Sequence, residues 1–228
     1  MLSAVRFSLL SVLLLAPAIA DSARSTLAGR LESRYRAART LSVTFLEQYS
    51  ENGSLIRSEA GTAYFRRPGK MRWEYQKPEK NLFLVDGKTA WFYTPADRTV
   101  TRVPARDSED FRTPLALLAG EMKLSRVCAK VVPYPLTPLA PDNTSLECIL
   151  KPSASSPQDP LPRVFFEITP DGELARIRIQ SPGGVQTEFQ FKNWSFNPPL
   201  AEDLFRFSPP PGVVIVNGLL PSSPAARQ

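Results

Sequence analysis

GTAYFRRPGKMRWEYQKPEKNLFLVDGKTAWFYTPADRTVTRV, residues 61–103, is the stretch that decides the fold. Lys70 to Tyr75 alternates, with Met71, Trp73 and Tyr75 on one face and Lys70, Arg72 and Glu74 on the other. That is the period of a strand with one buried side. Asp86-Gly87 separates Leu82–Val85 from Thr89–Tyr93, the signature of a tight β-hairpin. Arg67-Pro68-Gly69 marks an earlier turn. The result is a run of short antiparallel strands rich in aromatic residues. Such a meander needs a second surface over its apolar face. The functional question is whether that surface is core alone, or core and ligand.

Working outward, Leu41–Ser50 reads as the first strand, with Leu41, Val43, Phe45, Glu47 and Tyr49 on one face. Asn52-Gly53 begins a turn, and Ile56–Arg66 follows as a strand in which Gly61 marks a bulge or a close approach. Thr99–Val103, Lys123–Val132, Ser145–Lys151, Arg163–Thr169, Leu174–Ser181 and Gln186–Trp194 continue the series. Val213–Val216 is a last short strand or an extended arm. Ser22–Arg39 repeats Leu27, Leu31, Tyr35 and Ala38 at helical spacing. Thr113-Pro114 caps a short apolar helix through Ala119, ended by Gly120, and Ala201–Phe205 makes a brief helical turn. Pro133–Thr144 and Pro152–Pro162 are proline-rich excursions. The order predicts a mainly β protein: an unclosed, strongly curved antiparallel sheet of about eleven strands, with helices in its open side.

The N-terminus has the three parts of a secretory signal: Met1–Arg6, the apolar run Phe7–Leu15, and Ala18-Ile19-Ala20 before a cleavage site. Residues 1–20 are therefore expected to be removed, leaving one domain over 21–216 and a flexible tail over 217–228. The formal charge of +6 falls to +5 with the loss of Arg6. In an exported chain whose basic residues are spread out, this favours an anionic membrane surface or an acidic protein over nucleic acid. Cys128 and Cys148 are the only cysteines. In an oxidising compartment such a pair reads as a disulfide, worth about 2–4 kcal/mol. Two unrelated buried thiols are the alternative.

The chain has no histidine, and neither HExxH, GxSxG nor a glycine-rich phosphate loop occurs. No catalytic residue, metal or cofactor is expected. Glu47, Glu51, Glu59 and Glu74 could pair across strands as acids, but they equally serve as solvated strand positions. What remains is apolar surface inside an exported β-rich shell. An acyl chain of about sixteen carbons gains on the order of 12 kcal/mol on leaving water. A carrier for such chains must shelter them and still let go.

Several segments together resemble the LolA family of periplasmic outer-membrane lipoprotein carriers. They are Phe45 with Gln48, Gly61, Arg66–Trp73, Pro78, Asp86–Pro95, Thr113–Leu118, Phe205–Phe207 and Pro210–Val213. The resemblance implies a half-barrel whose apolar cavity takes the acyl chains of lipoproteins. It implies donation from an inner-membrane ATP-binding-cassette complex and handover to an outer-membrane acceptor lipoprotein, with a monomer working in the periplasm. Arg67 falls where the family's arginine tethers the lid helices, here Ser22–Arg39 and Pro114–Ala119. Lid and cavity residues are then Leu31, Tyr35, Trp73, Phe83, Trp91, Phe92, Tyr93, Leu115, Leu117 and Leu118. Alternation sets Trp91 and Tyr93 on one face and Phe92 on the other. Read from the residues alone, Arg67 is a solvated turn arginine and the aromatics are core. A carrier or sensor for another lipid or a glycolipid is the alternative function.

Overall fold

The computed structural model describes residues 18–105, 115, 117–120, 123–152 and 160–218, with side chains from 27 onward. Residues 1–17 of the expected signal, Thr113, Pro114 and Ala116 of the apolar helix, most of the second proline-rich loop and the tail beyond 218 lie outside them. Helix α1 (Ala18–Ala37) leads into β1 (Thr40–Glu51), β2 (Ser54–Arg66), β3 (Lys70–Lys77), β4 (Leu82–Val85), β5 (Thr89–Thr94) and β6 (Thr99–Pro104). After helical residues at 115 and 117–119 come α2 (Leu124–Val127), β7 (Cys128–Pro133) and β8 (Thr144–Leu150). The chain continues with β9 (Arg163–Ile168), β10 (Leu174–Gln180), β11 (Val185–Phe196) and β12 (Val214–Asn217).

All twelve strands form one sheet in the order β12-β6-β5-β4-β3-β2-β1-β11-β10-β9-β8-β7. Two meanders meet at β1, which pairs with β2 on one side and β11 on the other. The terminal strands β12 and β7 do not pair with each other, so the sheet stays unclosed. The count is twelve rather than about eleven because Val214–Asn217 docks alongside β6, in the one parallel pairing among the described residues. The sequence pattern predicts a single strand over Lys123–Val132. Its first part is instead the turn α2, whose Leu124 N–H donates to the Glu32 carboxylate at 2.7 Å. A carboxylate at a helix start satisfies a donor that the turn itself cannot.

Irregular pairings bend the sheet. Register shifts occur at Ser42/Thr44, Tyr49/Ser50, Ala60/Gly61, Leu174/Arg176 and Cys128/Lys130, and each extra residue bends its strand and increases local twist. Gly61 is both a bulge and a close approach, since a Cβ there would lie 1.9 Å from the Glu74 carbonyl oxygen. On the inner face, Trp73 stands opposite Ala63 and Phe83, and Phe83 opposite Phe92. Val43 of β1 stands opposite Ala63, and Phe45, two residues on and paired with Phe191 of β11, packs diagonally on Trp73. Leu27, Leu31, Tyr35 and Ala38 of α1 and its exit are buried in the same cluster.

The outer face is covered differently. A 3-10 turn at Glu202–Phe205 lies against β3, with Arg72 donating to the Leu204 carbonyl at 3.2 Å. On the other half, the proline-rich excursion between β7 and β8 lies over a buried Arg176–Glu167 ion pair. Leu139 N–H and Asn143 Nδ2 donate to Glu167 at 2.6 and 2.7 Å, and Arg176 donates to the Thr137 carbonyl at 2.7 Å. A disulfide joins Cys128 on β7 to Cys148 on β8 at that margin.

The hairpin motif has a mechanical basis. Asp86 Oδ1 accepts from the N–H groups of Lys88 and Thr89, both at 2.8 Å, and Oδ2 accepts from the Trp91 indole at 3.2 Å. Burial works against the ionised carboxylate, but these donors outweigh it and hold the pKa of Asp86 below its ordinary value. A group whose folded pKa is depressed stabilises above its unfolded pKa and loses that contribution as pH falls through the folded one. The stability difference between wild type and Asp86→Ala should therefore be present at pH 7 and shrink below about pH 4 in urea titrations. Gly61→Val should cost roughly 1–3 kcal/mol, seen as a lower urea midpoint with an unchanged slope.

Candidate functional site

Trp73 is the hub of the inner face and has no exposed surface. Its ring meets Phe45, Phe65, Phe189 and Phe191 edge-on at centroid distances of 4.7, 5.7, 5.7 and 6.4 Å. Edge-to-face pairs of this kind add to the burial of large apolar rings. An open sheet cannot shield this cluster alone, and the shield is α1 together with the apolar helical residues Leu115, Leu117, Leu118 and Ala119, all buried.

The β2–β3 turn holds the cover. Arg67 Nη1 donates to the carbonyls of Tyr35 and Ala38, the latter at 3.1 Å, and Nη2 donates to the Leu118 carbonyl at 3.4 Å. The same turn gives Arg67 N–H to the Arg39 carbonyl and Gly69 N–H to the Ala119 carbonyl, each at 3.0 Å. One turn thus touches the end of α1 and the second apolar helical segment at once. Carbonyls at helix ends lack intrahelical donors, and a cation there also meets the negative end of the helix dipole. The planar fork of arginine can serve several such acceptors where a lysine could not. Burial, then the charge of Arg36, lowers the Arg67 pKa, yet a guanidinium starts far enough above neutrality to stay charged.

Three further contacts position α1. The Tyr35 hydroxyl accepts from Leu174 N–H at 2.9 Å, and its ring packs against Trp194 and Phe196 at 5.1 and 5.4 Å. Burial pushes the phenol pKa up, so it stays neutral. Arg34 pairs with Glu173 at 2.5 Å and lies 4.5 Å over the Phe196 ring. Glu32 reaches α2 as described.

Arg67, Leu31, Tyr35, Trp73, Phe83, Phe92, Leu115, Leu117 and Leu118 therefore converge on the inner face and its cover. Trp91 and Tyr93 do not. They alternate to the outer face and pack against Phe207 at 5.5 and 5.8 Å, because each is one residue out of phase with Phe92. Phe189, Phe191 and Trp194 join the site without having been singled out in the sequence. The signal for Phe189 and Phe191 lies in the alternation of β11, which places them on the same side as Phe45, whereas Trp194 is out of that phase and follows the left-handed Asn193. Glu47 and Glu59 do stand opposite one another in register. Glu47 accepts from the Tyr75 hydroxyl at 2.7 Å, and Glu59 pairs with Arg57 at 2.8 Å.

Residues 36–208 match the family model described as outer membrane lipoprotein carrier protein LolA. The chain belongs to the LolA family. Outer-membrane lipoprotein carrier proteins of Nitrosomonas europaea and Chromobacterium violaceum are 33% and 29% identical to it. The alignments cover 76% and 93% of this chain, and 82% and 98% of those proteins. Among solved structures, an uncharacterized conserved protein from Thermus thermophilus superposes with a TM-score of 0.52 at 15% identity. That match covers 86% of this chain and 99% of the other, and it speaks to the fold alone.

In this LolA-family chain the Tyr35 anchor is testable apart from the Arg67 clasp. Tyr35→Phe deprives the buried Leu174 N–H of its acceptor and should cost about 1–3 kcal/mol. Amide hydrogen exchange across residues 27–37 should speed up with it. Unchanged exchange there would remove Tyr35 from the anchoring of α1.

Proposed function

We propose that this chain carries lipoproteins through the periplasm, sheltering their acyl chains between the inner face of its sheet and the helical cover. The single observation that carries this reading, beside family membership, is the Arg67 clasp. A cover fixed by continuous packing alone would have no discrete release. Here one guanidinium holds two helical segments through their main chain, and those bonds can be exchanged.

The magnitudes favour exchange. A hydrogen bond to a charged donor contributes about 1.5–3 kcal/mol net, so three of them amount to several kcal/mol. One long acyl chain gains on the order of 12 kcal/mol on burial, and a lipoprotein brings two or three. The Arg67 ties are thus small beside the burial of two or three chains, which also replaces the apolar contacts made by α1 and by Leu115, Leu117 and Leu118, while the closed form keeps Trp73 and its neighbours out of water when no cargo is present. Donation by an inner-membrane ATP-binding-cassette complex and handover to an outer-membrane acceptor lipoprotein complete the proposal. The sheltering itself needs no bond-making chemistry.

The purified protein, incubated with lipoprotein-loaded inner-membrane vesicles, should yield a soluble one-to-one complex with an acylated lipoprotein. Retention of all cargo by the vesicles would sink the reading. Arg67→Leu should still accept cargo but hand it on at least several-fold more slowly, since the closed state that competes with bound cargo has lost its ties. Transfer at the wild-type rate would take Arg67 out of the mechanism.

A further inference from the structure

Of the three indoles in the chain, two have found acceptors. Trp91 donates to the Asp86 carboxylate at 3.2 Å, and Trp194 donates to the Leu174 carbonyl at 2.8 Å. Trp73 is wholly buried, yet its Nε1–H meets no acceptor among the described residues. A buried indole usually has a partner, because its donor gave up water to get there. The rings around it do not supply one. Phe45, Phe65, Phe189 and Phe191 offer π faces and edges, which are weaker acceptors than a carbonyl oxygen.

The place of this donor on the sheet is equally specific. Alternation sets Trp73 on the inner face, and its ring reaches across β2 and β1 to Phe189 and Phe191 of β11. Two residues further along β3 the same face turns polar. Tyr75 donates to Glu47 at 2.7 Å, and Glu59, opposite Glu47 in register, pairs with Arg57. Phe45 packs on both Trp73 and Tyr75, at 4.7 and 5.1 Å. Trp73 thus stands at the border between the aromatic band and a polar end of the inner face at which Tyr75, Glu47 and Glu59 are buried. A molecule with apolar tails and a polar head has a border of its own, at the carbonyl groups through which the tails are joined.

We propose that Trp73 Nε1–H donates to an acyl carbonyl oxygen of the cargo and so sets how far the tails enter. The inference rests on the carrier reading and adds a recognition contact to it. In the closed form the donor stays unmet beneath the cover, and an arriving carbonyl relieves that cost. Hydrocarbon alone brings no acceptor, so the contact separates acylated lipids from alkyl chains of the same length. A glycerol ester and an N-acyl amide carry the same acceptor chemistry.

The test uses the cargo-free protein and three synthetic lipopeptides of one peptide sequence. They are a dipalmitoyl-glyceryl cysteine with a free amine, its dihexadecyl ether analogue, and that ether analogue bearing an N-palmitoyl group. Trp73→Phe keeps a large ring and deletes the donor, so its effect on the diether reads lost packing alone. Binding of the diester should weaken about three- to tenfold more than binding of the diether. An extra loss confined to the N-palmitoyl probe would support the donor role and assign the acceptor to the amide. In wild type, whose fold no substitution disturbs, the Trp73 indole proton should resonate further downfield with a carbonyl-bearing probe than with the diether. Trp91 and Trp194, already bonded, serve as controls. Equal losses with all three probes, or an indole proton indifferent to every acyl carbonyl, would overturn the proposal and leave the carrier reading in place. A wild type that binds none of the three would overturn the carrier reading and this inference with it.

Discussion

A sheet of twelve strands that does not close on itself leaves one apolar face which only something else can cover. Every other feature answers to that constraint. Phe191, Phe45, Trp73, Phe83 and Phe92 form an aromatic band from β11 to β5, a span of six strands in which β2 contributes the small residues Gly61 and Ala63, and its burial sets the need for α1 and the apolar helical residues near 115–119. A closed barrel would bury the same band with its own strands, leaving nothing to exchange. Openness is therefore the property on which the proposed sheltering depends, and the hydrogen bonds of Arg67 to Tyr35, Ala38 and Leu118 tie the two covering segments to the β2–β3 turn.

Much of this is legible in the sequence where a period repeats. The alternation of β1 and β3 identifies their inner residues, and the helical spacing of Leu27, Leu31 and Tyr35 identifies the buried stripe of α1. Gly61 announces its bulge because no other residue fits 1.9 Å from a carbonyl oxygen. What fails to show is long-range. Nothing local tells that Leu124 N–H will find a carboxylate 92 positions earlier and turn into a helix. Nothing local chooses between the two faces of β5, since Trp91, Phe92 and Tyr93 are all aromatic. The choice is made by Phe207, more than a hundred residues on. Arg67 itself looks like any turn arginine until two helices are brought beside it.

The two faces also differ in how they are held. The inner face is largely apolar and covered by helices held through main-chain carbonyls to Arg67 and through the side chains of Glu32, Arg34 and Tyr35. On the outer face, Arg176 and Glu167 are almost wholly buried beneath residues 137–143, and main-chain and side-chain donors satisfy the carboxylate. Removing one partner of such a pair leaves an uncompensated buried charge, which costs several kcal/mol. That covering is therefore hard to undo.

The bridge between Cys128 and Cys148 fastens only one of the sheet's two margins. At the far margin the outermost strand has four residues, runs parallel to its neighbour and exposes Val214, Ile215 and Val216. One rim of the open sheet is thus covalently bridged and the other is held by four residues of strand pairing, so the two rims resist separation unequally.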